Sequence, residues 1–133
     1  RGYLLEKLKG FSLTKQSIAI GALWGVWHAP LIVLFGHNYP HNPMLGCLMM
    51  IVFCILMTPI MIKLKKRSQS LYVASVFHGT LNALAGLTLI LFPKANPLLV
   101  GIQGLTGIIA LSVINLGWFL LRKASLKGSQ EPV

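Results

Sequence analysis

Acidic side chains are almost missing from this chain: among 133 residues there is no aspartate, and glutamate occurs only at positions 6 and 131, against twelve lysines and arginines. Charged residues of both signs make up 11% of the sequence, where an ordinary soluble domain carries about a quarter. With 55% apolar residues and a positive mean hydropathy, the composition excludes a typical soluble domain and is that of a membrane protein. Cysteine is also scarce. Cys47 and Cys54 fall on one predicted helix about 10 Å apart along its axis, too far for a disulfide, so they say nothing about redox compartment. No methionine stands at position 1, no signal peptide is visible, and Arg1 opens directly into a helical pattern; the chain reads as a piece of a longer protein.

The fold class expected is all-α, a polytopic transmembrane helix bundle of about four spanning helices preceded by the end of an upstream helix. The spans are Ser17 to Phe35, Met44 to Ile62, Leu71 to Phe92 and Leu98 to Leu121. Each has about the 20 residues that a hydrocarbon core of ~30 Å requires. Alternating the connections puts every lysine and arginine except Lys94 on one side, which the positive-inside rule makes cytoplasmic. The net charge of +10 is therefore a topology signal, with anionic lipid headgroups as partners. Nucleic acid is not an expected partner, because no basic soluble face with aromatic platforms is present. Residues 1–121 form one membrane-embedded domain, and 122–133 a basic, disordered cytoplasmic tail.

Two short stretches carry chemistry. In LWGVWHAP, Gly21, Trp24, Gly25 and His28 share one helical stripe; Gly21 and Gly25 admit a close neighbour, and Pro30 predicts a kink beside the histidine. In VFHGTLNA, His78 and Asn82 lie one turn apart, beside a small-residue groove of Ser75, Gly79 and Ala83. Ionisable groups in hydrocarbon cost about 2.5 to 3.5 kcal/mol and mark functional sites by default. His37 and His41, in a loop broken by Pro40, are a weak metal pair, and the sulfur-rich second helix reads as packing. The last helix, with Gly101, Gly104, Gly107 and Ala110 at near-helical spacing, also reads as a packing helix.

Two inward histidines in a bundle fit three chemistries: hydrolysis, with one as base and the other supporting an oxyanion; bis-histidine haem ligation; and a transport relay. A non-catalytic membrane scaffold is the fourth alternative. The depths of the two histidines differ by ~6 Å, against haem, and the chain lacks the paired broken helices of transporters.

RGYLL, W-x-x-x-H over Trp24 to His28, and H-x-x-x-N over His78 to Asn82 together resemble the CAAX protease and bacteriocin-processing family of intramembrane proteases, whose pattern is E-E-x-x-x-R, F-x-x-x-H and H-x-x-x-N or D. The likeness runs from Arg1 to about Asn82, with Trp24 in place of the usual Phe as a cavity-lining residue. It implies an intramembrane endopeptidase acting on membrane-associated peptide or protein substrates, in CAAX-type or bacteriocin processing or self-immunity. An upstream glutamate with His28 would activate water, His78 with Asn82 would stabilise the oxyanion, and Arg1 would orient the glutamates. That motif's glutamates lie before residue 1, and Glu6 cannot replace them, so the chain alone is expected to be inactive. Zinc is compatible with a glutamate plus His28 and His78, since catalytic zinc takes three protein ligands and a water. The expected location is the cell membrane of a bacterium, crossed several times.

Overall fold

The computed structural model of the chain describes residues 2–128. The described residues form six helices: α1 (Gly2–Lys7), α2 (Leu13–Trp27), α3 (Ala29–Phe35), α4 (Pro43–Ser68), α5 (Leu71–Leu91) and α6 (Leu105–Gly128). Ser12 caps α2, its hydroxyl accepting from the Lys15 amide at 3.4 Å. At His28 the helix is interrupted for a single residue, because Pro30 has no N–H to give to the Val26 carbonyl. α3 then continues to Gly36, whose left-handed φ of 65° ends it. Together α2 and α3 form a 23-residue apolar span, and α4 forms one of 26. α5 has 21 residues and no lysine, arginine or acid.

The hub is α4, which packs against α2, α3, α5 and α6. Its Met50, Phe53, Cys54, Met57 and Met61 make up most of the buried core, joined there by Ile32, Tyr39, Ala74 and Leu111. Unbranched thioether side chains fill irregular gaps between helices of different tilt, which suits a helix with four neighbours. The two glycines of α2 dock on it. A Cβ at Gly21 would lie 2.5 Å from the Ile55 Cα, and one at Gly25 the same distance from the Ile51 Cα, so only glycine permits this approach. Pro59 denies the Ile55 carbonyl its helical donor, and Asn115 of α6 donates to the next carbonyl, Leu56 O, at 2.9 Å.

Three expected boundaries change. The last helix starts at Leu105, not Leu98. Gly101 adopts φ +102° after Pro97, and the chain folds back so that the Leu105 and Thr106 amides donate to Leu98 and Leu99 carbonyls; Gly101 and Gly104 therefore belong to a tight turn, not to a packing stripe. At its other end α6 runs on through Gly128, where a disordered tail was expected from 122, because Arg122, Lys123, Ala124, Leu126 and Lys127 are strong helix formers. Residues 129–133 lie outside the described part. Finally, the second helix runs on past Ile62 to Ser68, so Lys63 to Arg67 stand in its last turns, where cations complement the helix dipole.

Lys9, Lys65 and Lys66 gather at one end of the bundle, and Lys94 lies at the other, beside the loop of Tyr39. At the basic end Glu6 and Lys9 line a small polar cup with Lys65, Lys66 and Gln69, and the start of α2 meets the second half of α6. At the other end Tyr39, buried in the loop between α3 and α4, donates its hydroxyl to the Gln103 carbonyl at 2.7 Å and so ties the two opposite loops together.

Candidate active site

The break in α2 explains how His28 is held. Its backbone N–H turns to the Gly25 carbonyl, at 3.1 Å, leaving the Trp24 carbonyl without its usual helical donor. The ring of the same histidine takes that place, Nδ1 lying 2.8 Å from Trp24 O. A carbonyl only accepts, so Nδ1 carries the proton, and in the neutral ring the lone pair is on Nε2. This is the tautomer that a base or a metal ligand needs. Trp27 meets the same imidazole edge-on at a centroid distance of 5.1 Å and is itself exposed.

Trp24 joins the two sequence stretches. Its indole lies 5.8 Å from the His28 ring and 5.2 Å from the His78 ring, the second contact T-shaped. All three side chains are half-buried. Trp24 thus contacts both histidine rings. Two axial haem ligands need an open slot between them; here the indole stands against each ring.

Asn82 follows His78 by one turn of α5 and is exposed, as are Ser75, Gly79 and Ala83. A Cβ on Gly79 or Gly86 would meet nothing within 4 Å, so this face of α5 is open among the described residues. The close neighbour that Gly21 and Gly25 admit is α4, and α5 reaches α2 through the Trp24 indole. Arg1 lies outside the described residues. His37 and His41 are both exposed in the loop of Tyr39.

The described residues do not assemble a metal centre: no three His, Cys, Asp or Glu side chains converge. His28 and His78 offer two nitrogen donors with an indole against both, one short of the three protein ligands a catalytic zinc takes. Glu6 stays at the basic end, exposed and 3.8 Å from Lys9. Sequence reasoning missed the bond from the ring to Trp24 O, although the signal was present in the i, i+4 spacing of Trp24 and His28. It also missed Tyr39, one aromatic in a polar loop, for which the sequence offers no distinguishing mark.

Comparison with known proteins adds one finding. The family model described as type II CAAX prenyl endopeptidase Rce1-like matches residues 1–84, well over half of the chain and inclusive of both histidine stretches. No curated protein and no solved structure matches. The match agrees with the motif order read from the sequence, and with the apolar helices it makes this an integral membrane protein of a protease family. The chain belongs to the Rce1-like family of type II CAAX prenyl endopeptidases.

Proposed function

We propose that this chain carries the histidine half of an intramembrane CAAX-type endopeptidase site, in which His28 is the general base and His78 with Asn82 stabilises the oxyanion. The observation that supports this reading best is the tautomer of His28: Nδ1 is held by Trp24 O at 2.8 Å, so in the neutral ring the lone pair is on Nε2. Nε2 takes a proton from water as the water oxygen bonds to the scissile carbonyl carbon. The carbonyl oxygen becomes an oxyanion, to which a His78 N–H and the Asn82 amide donate. As the C–N bond breaks, the His28 imidazolium returns its proton to the leaving amine. Trp24 keeps the two imidazoles in one pocket and excludes water from one side.

A carboxylate beside His28 would hold the imidazolium, and the family's E-E-x-x-x-R motif would supply it. Glu6 does not serve, being exposed at the basic end beside Lys9, and Glu131 lies outside the described residues. The 133 residues alone are accordingly proposed to be inactive, and Arg1 to orient that carboxylate in the complete protein. That carboxylate with His28 and His78 would make up the three protein ligands of a catalytic zinc, and loss of turnover on exhaustive chelation, restored by zinc, is the readout for it. The basic end is proposed to be cytoplasmic.

The test is cleavage of a prenylated CAAX peptide by the complete protein in vesicles. His28→Ala and His78→Ala are each expected to lower turnover by ~100-fold or more while the protein still inserts. Turnover near that of the native protein in either variant overturns the assignment.

A further inference from the structure

A lateral groove of about 270 Å³ lies between α2, α4 and α6, and it shares no residue with Trp24, His28, His78 or Asn82. Its walls include Ser17, Ile18, Ile55, Pro59, Asn115 and Phe119. Two of its polar side chains, Ser17 and Asn115, donate within the protein. Ser17 Oγ donates to Leu13 O at 2.7 Å, and Asn115 Nδ2 donates to Leu56 O and Leu111 O at 2.9 and 2.8 Å. What the groove offers an occupant is therefore hydrocarbon. Ile18 and Phe119 are 52% and 64% exposed, so it opens sideways, where a bilayer's acyl chains lie.

An apolar groove alone selects nothing in a membrane, because lipid tails are as apolar as leucine and fill any lateral space. Selection needs a headgroup contact, and the groove has a basic rim at one end only. Lys63 stands one helical turn beyond Pro59 on α4, with its ammonium against the Trp118 ring that closes that end of the groove. Lys123 stands one turn beyond Phe119 on α6, and Lys15 follows the lining residue Thr14; both are exposed. Lys15, Lys63 and Lys123 thus all lie toward the basic ends of the three helices that wall the groove, a charge complementary to a phosphate at the membrane interface.

We infer that this groove seats one anionic phospholipid, with an acyl chain along Ile18, Ile55 and Phe119 and its phosphate at Lys63, Lys123 and Lys15. The occupant is a lipid of the bilayer and not substrate, since the groove shares no lining residue with either histidine.

The experiment uses the whole chain with Trp24→Phe and Trp27→Phe, so that Trp118 is the sole tryptophan, in phosphatidylcholine vesicles. Brominated acyl chains quench a neighbouring indole, and the quencher is introduced either on phosphatidylglycerol or on phosphatidylcholine. Half-maximal quenching by brominated phosphatidylglycerol is expected at a ~5-fold or more lower mole fraction than by brominated phosphatidylcholine. Lys63→Gln with Lys123→Gln should bring the two curves within ~2-fold, whereas Lys94→Gln, at the opposite end, should leave the preference intact. Equal curves in the starting protein overturn the proposal, since the groove then takes any lipid. Absence of quenching by either lipid, which a second copy of the chain over the groove would produce, overturns it too.

Discussion

At the scale of single residues, Asn82 and Tyr39 make opposite predictions. Asn82 is exposed on the open face of α5, so Asn82→Ala should leave folding and insertion alone. If its amide donates to the oxyanion, turnover by the complete protein falls by ~100-fold or more, as measured by cleavage of a prenylated peptide. Tyr39 is 1% exposed and donates to Gln103 O at 2.7 Å. Removing that donor with Tyr39→Phe should cost about 1 kcal/mol of stability and leave the chemistry of the histidines untouched. Burial, reinforced by the negative charge that Cys54 and Cys47 would carry as thiolates, raises the phenol above its ordinary value of 10.0 in the folded chain. The folded state then holds the proton more tightly than the unfolded one. The stability this contributes is complete below pH ~10 and declines as pH rises beyond it. Thermal unfolding in detergent at pH 8 to 11 should show a steeper alkaline loss in the native protein than in Tyr39→Phe.

At the scale of elements, glycines that look alike in sequence are expected to behave differently. Gly21→Ala or Gly25→Ala drives a methyl into the α4 backbone and should destabilise by ~1 to 3 kcal/mol in the same unfolding measurement. Gly79→Ala and Gly86→Ala meet open space, and since alanine favours helix by up to ~1 kcal/mol they should be neutral or stabilising. A destabilised Gly79→Ala in a longer form of the protein would reveal a helix seated on that face. The contrast marks what was legible. The broken span was readable because Pro30 acts through its own missing N–H, a local cause. The helical spacing placed Gly21 and Gly25 on one stripe but could not say which helix would meet it, because a partner is chosen by packing across the bundle. The centrality of α4 was hidden for the same reason: no ionisable group marks it, and methionine shows its use only where gaps must be filled. The start of α6 was misread because apolar periodicity through Leu98 to Gly104 outweighed the turn chemistry of Pro97 and Gly101.

At the scale of the whole molecule, the all-helical class and the segregation of charge were legible from counting alone. RGYLL, W-x-x-x-H and H-x-x-x-N, in that order, together pointed to the family. That Trp24 would touch both histidines was not, since it depends on how α2 and α5 lean against α4. The topology has a direct check. Single cysteines placed at His37 and at Ser70, after Cys47 and Cys54 are replaced by alanine, should react with an impermeant maleimide from opposite faces of the membrane, Ser70→Cys from the cytoplasmic one. Labelling of both from one face would contradict the alternating arrangement. The bond from Tyr39 to Gln103 spans 64 positions and fastens the loop after α3 to the turn before α6. It gives the bundle a mechanical polarity, like a sheaf tied at one rim. Helices parting from the lysine-rich end can spread as a fan about this knot, whereas parting them from the far end must first cut it.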